Sequence, residues 1–424
     1  MKTGVLGFVL GISFCYIHFK LLRRWLCLKK RCCLVCLSLL IKNGSRYLKR
    51  VGARGETFEK IQRFKCKLCK KTYIFRKNKT GGFRRKFTDS FITESVCDFI
   101  QGRSSYAVIK ERKNVSIGTL SKWVNNFGNS CLSPVEISEK FKLNKVSKWS
   151  GILLLDGKYL NKNSCLLLAV DYLTLDIVAH LVVDKETGKN YTRLISLVLS
   201  CGYNIKALVS DGHQSIRSLT QTRKEKPLKA TRAYPRPGIP PVTRRRSKLE
   251  GTPHAWCVVH AQRELFTNLT KLKLSKELNL KLRGNITDVL FAKTLPKAKK
   301  NIKKLAYETR SRPKVFNTTA LWILERWEYL TLHFNLRVNK RKIPRSTNSI
   351  ENVISYVNTR LKTMRRVRNR ASAVSITNLI VLNYRTKPLI NTKNKLKRGK
   401  SPLSLALGKK VNLKWTTFIK KSTA

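Results

Sequence analysis

Acidic side chains are scarce in this 424-residue chain: 23 Asp and Glu stand against 89 Lys and Arg, a formal net charge of +66. The bases run along the whole length and are not gathered in one tail. That distribution points to a large polyanion as partner, nucleic acid ahead of an anionic membrane, and to no small-molecule substrate. Cysteine is also sparse, with 12 in all, too few for a disulfide scaffold at this length. Reduced thiols in a cytosolic or nuclear compartment fit that count better. Long apolar runs are missing too. "GVLGFVLGISFCYIHF", Gly4 to Phe19, is shorter than the roughly 20 residues of a membrane span. It lacks a basic n-region and a small-residue cleavage site. Residues 1–30 therefore read as an apolar and basic leader, either a fraying amphipathic helix or the product of a start placed too far upstream. No internal repeat is evident, and 42% hydrophobic residues suffice to pack two or three domains.

The pattern changes at Trp149. "ILLLDGKYL", "CLLLAVDYLT" and "IVAHLVVDKE" are successive Leu-, Ile- and Val-rich runs separated by the turn-like "NKNS" and "LD", as in an antiparallel meander. "NYTRLISLVLSCGYN" reads as a helix stopped by Gly202, and "IKALVSDGH" as a fourth strand. A helical crossover makes that strand parallel to an earlier one. The Pro- and Arg-rich stretch 222–253 reads as an extended basic loop. A short strand "AWCVVHA" leads into helical periodicity over 262–340, and 387–424 reads as a weakly structured basic tail.

Three acids stand out. Asp156 interrupts an apolar strand and Asp211 closes another, each followed by glycine; a carboxylate in such a setting needs compensating partners. Glu351 opens the stretch "STNSIENVISYVNTRLKTMRRVRNR", where it is the one acid. Asn348 can cap that helix with Glu351 at the capping-box position, and Ile350, Val353, Ile354, Val357 and Leu361 form its apolar stripe. Converging carboxylates repel each other unless divalent cations sit between them. Two Mg²⁺ or Mn²⁺ ions about 4 Å apart would suit phosphodiester chemistry. Arg360, Lys362, Arg365, Arg366 and Arg370 are then expected to hold a DNA backbone beside the acids. Asp171 is the strongest rival acid; it, Asp176, Asp184 and Glu186 read as structural, and His213 as a loop histidine.

Towards the N-terminus, Cys33/Cys36 and Cys66/Cys69 form two Cys-x2-Cys knuckles, with Cys32 as a substitute for Cys33. Paired knuckles fit a four-thiolate structural Zn²⁺ site on a β-ribbon over 31–85, whose hairpin carries the basic "KNGSRYLKRVGARG". Residues 86–130 read as a helix-turn-helix: one helix to Ile100, a second opened by Ser104 or Ser105, a turn at Asn114-Val115, and a third capped by Ser116. Ile117, Leu120, Trp123 and Val124 are expected to face inward, and Thr119, Lys122, Asn125 and Asn126 the DNA major groove.

"WCVVHAQREL" resembles the Cys-x2-His strand-to-helix signature of Mutator-type DDE transposases of insertion sequences. "STNSIENVISYVNTRLKTMRR" is similar to that family's final segment, and "RFKCKLCKKTYIF" to the zinc ribbons that precede the catalytic core in many of its members. The resemblance covers about Gly151 to Asn383. It implies an α/β fold, a ribonuclease-H-like mixed sheet with an all-helical insertion over 262–340, with the catalytic core spanning 149–386. It implies a triad of Asp156, Asp211 and Glu351, with Cys257 and His260 as the family pair in a structural or DNA-positioning role. It further implies metal-dependent cleavage and strand transfer on double-stranded DNA, transposon ends and target alike, by a dimer or higher assembly associated with the nucleoid in the cytoplasm. A transposase-derived DNA-binding regulator without cleavage is the alternative. The long basic loop before Trp256 departs from the family pattern.

Overall fold

The computed structural model describes residues 32–33, 35–36, 38–52, 55–74, 87–220, 249–362, 369–390, 392, 394–411 and 413–420. The leader 1–30, residues 222–248 of the basic loop, and Arg365 and Arg366 lie outside the described residues. The chain divides into two units after Asp98.

In the first unit, β1 (Leu40–Gly52), β2 (Gly55–Cys66) and β3 (Thr72–Ile74) form an antiparallel sheet. The basic hairpin foreseen over 42–55 falls on the β1–β2 ribbon. Helix α1 (Asp89–Ile100) begins where Phe87 bridges Val51.

The second unit holds α2 (Tyr106–Lys113), α3 (Ile117–Asn129), α4 (Pro134–Phe141) and α5 (Leu143–Val146). Ser105 and Ser116 cap α2 and α3 by accepting from the amides of Val108 and Thr119, and Asn114 takes the left-handed turn conformation between them. A five-stranded mixed sheet follows, from β4 (Ile152–Asn161), β5 (Ser164–Asp171), β6 (Ile177–Val183), β7 (Ala207–Ser210) and β8 (His254–Trp256), in the order β6-β5-β4-β7-β8. The first three strands form the meander; β7 is parallel to β4 and β8 to β7. Helix α6 (Gly188–Ser200) makes the crossover, and α7 (Gln214–Thr220) follows β7. α6 buries Tyr191, Leu194, Ile195 and Val198 against Leu153, Leu155, Leu167 and Ala169, one face of the sheet.

Helices α8 (Val258–Lys271), α9 (Lys276–Leu290), α10 (Leu295–Thr309), α11 (Pro313–Phe316), α12 (Trp322–Glu325) and α13 (Trp327–Asn335) form the foreseen helical region. They share their own core around Leu265, Ile286, Leu305 and Ile323. A two-residue hairpin, β9 (Arg337–Val338) with β10 (Arg341–Lys342), ends it. "AWCVVHA" is not one strand: β8 stops at Trp256, Cys257 is the N-cap of α8, and His260 lies in its first turn.

Helix α14 (Asn348–Leu361) packs on β4, and α15 (Arg370–Thr386) on β6 and α3. α3 and α15 meet at Gly128, where a Cβ would fall within van der Waals overlap of the Ser375 backbone. Asn378 Nδ2 donates to the Gly128 carbonyl at 3.2 Å. α3 thus belongs to the same body as the sheet. Its first residue, Ile117, expected inward, is 47% exposed. Nor is the C-terminal segment weakly structured: α16 (Pro402–Leu407) and a turn of 3-10 helix at Trp415–Phe418 bury Leu403, Trp415 and Phe418.

Asp176 and Arg385, both buried, form a bidentate ion pair at 2.8 and 2.9 Å that ties α15 to the start of β6. Removing one partner leaves an uncompensated buried charge. We expect Arg385→Ala to lower unfolding free energy in urea by about 3–5 kcal/mol; a loss below about 1 kcal/mol would show that the pair is dispensable.

Candidate active site

β4 and β7 run parallel with Leu154 opposite Val209. Asp156, within β4, and Asp211, one residue past the end of β7, each lie two residues further on, so equal offsets aim both side chains to one face of the sheet. That face is opposite the one carrying Leu153 and Leu155, and it is the face α14 covers. Each aspartate is followed by a glycine for a reason visible in the packing. A Cβ on Gly157 would sit 2.9 Å from the Glu186 carboxylate, and one on Gly212, whose φ is +81°, 2.8 Å from the Trp256 ring. Trp256 is itself clamped between Tyr329, stacked at 4.8 Å, and the Arg217 guanidinium at 4.7 Å.

Glu351 reaches the same place from α14. Ile350, Val353 and Val357 bury one stripe of that helix, while Ile354 and Leu361 are half-buried at its margin. Asp156 and Glu351 both line a cleft of about 270 Å³, with Lys158, Ser355, Asn358 and Lys362. The N-cap of α14 is Thr347, not Asn348, and makes no side-chain cap bond, so the expected capping box is absent. Instead Thr347 Oγ1 donates to Glu351 Oε1 at 3.2 Å and lies 3.3 Å from His260 Nδ1. The Thr347 amide donates to Cys257 Sγ at 3.3 Å. His260 Nδ1 is 3.9 Å from Glu351 Oε1. The Cys-x2-His pair and the glutamate therefore form one cluster, whose ligand atoms all lie within 4.8 Å of one another.

The electrostatics are those of crowded anions. Burial pushes the Asp156 carboxyl up to about 7, with Asp211 the next cause and Glu186 adding to it; the Gly157 amide and His260 act the other way. The imidazole of His260 is raised above its ordinary range, first by its hydrogen bond with Cys257 and further by the charges of Asp211 and Glu351. Burial acts to raise the Cys257 thiol, but hydrogen bonds with His260 and Thr347 outweigh it and hold the thiol below its usual range. Asp211 acts on Asp156 through its charge, and Asp156 shares the cleft with Glu351, but among the described residues the three carboxylates do not form one group of ligand atoms within 4.8 Å: Glu351 is grouped with Cys257 and His260. Oxygen donors of this charge are what a hard divalent cation such as Mg²⁺ takes.

Glu186, read as structural from the sequence, belongs beside the site. It accepts from the Tyr191 hydroxyl at 2.6 Å, lies 3.9 Å from His213 and is among the charges acting on Asp156. The signal missed was Gly157, whose missing side chain makes room for it. Asp171 is structural as expected: buried, it accepts from the amides of Ser150, Leu173 and Thr174 and the hydroxyls of Ser150, Thr174 and Tyr203. Arg360 is not placed to hold DNA. Three residues beyond Val357, it falls on the buried stripe at 1% exposure, 5.1 Å over the Tyr356 ring and 3.4 Å from the Gln101 carbonyl. Lys362 is exposed at the cleft. On α3, Lys122 and Asn126 are exposed, whereas Thr119 and Asn125 are half-buried.

Cys33, Cys36, Cys66 and Cys69 come together as a group that could hold a structural metal such as zinc, with Cys33–Cys69 and Cys36–Cys66 sulfur distances of 3.3 Å. Cys32 lies outside that group. Burial acts to raise the Cys33 thiol, but the Tyr73 hydroxyl and nearby amides bring it down to about 5, the thiolate form a metal requires. The ribbon beyond the group exposes Lys42, Arg46, Lys49 and Lys60 together with Tyr47 and Phe58. Among the described residues no helix is long and apolar enough to cross a membrane. Neither protein-family models nor curated proteins give a match to this sequence.

Two outcomes follow from this geometry. Stripping metal with a strong chelator should abolish the β-structure of residues 40–74, read as loss of amide dispersion, while the five-stranded sheet persists; an unchanged ribbon would remove the metal's folding role. The second concerns pH. Asp156 binds its proton more tightly folded than unfolded, 3.8 rising to about 7, so folded stability is greatest below the unfolded value and falls as pH climbs through that window. For metal-free protein the decline should amount to up to about 4 kcal/mol and should flatten in Asp156→Asn. A wild-type curve already flat between these pH values would contradict the crowding.

Proposed function

We propose that this chain is a DDE transposase, with a ribonuclease-H-like core, that binds transposon ends and catalyses metal-dependent DNA cleavage and strand transfer. The observation that carries the reading is that Asp156 and Asp211 stand at equal offsets along parallel β4 and β7, near enough for Asp211 to raise Asp156, and that Asp156 shares one cleft with Glu351. The sheet order β6-β5-β4-β7-β8 and the Cys257–His260 turn at the start of α8 support it. So does the net charge of +66, which draws phosphate toward acids that would otherwise repel it.

Asp156, Asp211 and Glu351 would hold two Mg²⁺ or Mn²⁺ ions, which lower the pKa of a bound water or hydroxyl and neutralise charge on the leaving oxygen. The chain's own part is to fix the phosphodiester over β4, with Lys158 and Lys362 at the rim, and to hold the three carboxylates aligned; the bound cations would keep Asp156 ionised against the fold's tendency to protonate it. Hydrolysis breaks one P–O ester bond at the transposon end and frees a 3′-hydroxyl. That hydroxyl then attacks a target phosphorus in line, so one ester forms as another breaks. The zinc ribbon, with exposed Lys42, Arg46, Lys49 and Lys60, and α3, through Lys122 and Asn126, are the DNA-reading elements. Engaging two ends at once calls for a dimer or higher assembly, associated with the nucleoid in the cytoplasm.

The test uses purified protein and oligonucleotides carrying the inverted repeats that flank the gene. Wild type should nick them in Mg²⁺ or Mn²⁺, and Asp156→Ala should bring nicking below detection with DNA binding retained. Equal nicking by the variant would overturn the site. Specific end binding with no cleavage in either metal would assign the transposase-derived regulator instead.

A further inference from the structure

We propose that Cys257, His260 and Glu351 form a second zinc site, separate in chemistry from the oxygen-only site and sharing Glu351 with it. The three donors come from two helix starts held together by Thr347. Cys257 is the N-cap of α8, His260 lies one turn on, and Glu351 is in the first turn of α14. Their ligand atoms already lie within 4.8 Å of one another, with His260 Nδ1 3.9 Å from Glu351 Oε1. Ligands about 2.0–2.3 Å from a tetrahedral zinc stand roughly 3.3–3.8 Å apart. Less than about 1.5 Å of closure, within side-chain rotation, converts the cluster into a coordination shell. Thr347 Oγ1, at 3.3 and 3.2 Å from the nitrogen and the oxygen, bridges the pair in the metal-free arrangement.

Donor chemistry decides which ion. A thiolate and an imidazole select zinc over magnesium, whereas the two aspartates offer only hard oxygen. Three protein ligands leave a fourth position for water or a phosphate oxygen. The consequence for activity rests on the proposed transposase reading. A zinc held here turns the Glu351 carboxylate toward Cys257 and His260, away from Asp156. Excess Zn²⁺ therefore inhibits Mg²⁺-dependent cleavage, and dilution into a zinc buffer that leaves the four-cysteine group loaded restores it.

The experiment measures zinc per folded full-length chain and the zinc K-edge absorption spectrum. Wild type saturated with Zn²⁺ should bind two ions, with a shell that mixes sulfur with nitrogen and oxygen; Cys257→Ser, His260→Ala and Glu351→Gln should each bind one, in a four-sulfur shell. One ion per wild-type chain in a pure four-sulfur shell would overturn the proposal without recourse to any variant. So would two ions retained by all three variants. Should no metal support cleavage, the stoichiometry still decides the zinc site, and the transposase reading fails on its own.

Discussion

Mutual repulsion among carboxylates is the constraint around which this molecule is arranged. Asp156, Asp211, Glu186 and Glu351 are drawn toward one end of a five-stranded sheet, and the cost shows in Asp156, which burial and its neighbours push to about 7. Among the described residues no Lys or Arg forms an ion pair with these four acids. His213 lies beside Glu186 and His260 beside Glu351, and His260 is engaged with Cys257 and Thr347 as well. An anionic cluster maintained in a chain of net charge +66 is a polarised device. Under the proposed function the periphery would attract a polyanion and the centre would take small cations.

Rigid packing holds the acids against that repulsion. β4 lies between β5 and β7: Asp156 pairs with Leu168 of β5, and Ile152 to Leu154, just before it, pair with β7. α14 is buried along Ile350, Val353, Val357 and Arg360, and α15 is fixed by the Asp176–Arg385 pair and by the approach of Gly128 to Ser375. Helix α3 is joined to this scaffold where Gly128 meets Ser375 of α15. Its exposed Lys122 and Asn126 are thereby set in a fixed relation to the cleft.

Much of this was legible in the sequence, for reasons that can be named. The meander was visible because β4, β5 and β6 are runs of Leu, Ile and Val between polar turns, and the crossover because α6 has a 3.6-residue apolar rhythm ended by Gly202. Asp156 and Asp211 stood out because charge is expensive in such strands. What escaped was set by tertiary contact. Arg360 looked like a phosphate ligand because its neighbours are basic, although its spacing from Val357 already placed it on the buried stripe. Thr347 displaced Asn348 as the cap, because the loop before α14 is fixed by Cys257 and His260 and not by local capping strength. Glu186 lies in a turn that carries no pattern of its own. The C-terminal segment hid Trp415 and Phe418 among lysines, and only their partners Phe127 and Phe141 explain their burial.

The central claim is that two strand aspartates and a helix glutamate share divalent cations. Crystals of the protein soaked in Mn²⁺ test it most directly through anomalous scattering at the manganese edge. The account predicts peaks between Asp156 and Asp211 and between Asp156 and Glu351, within coordinating distance of their oxygens. Full manganese occupancy elsewhere with no peak touching Asp156 would contradict it.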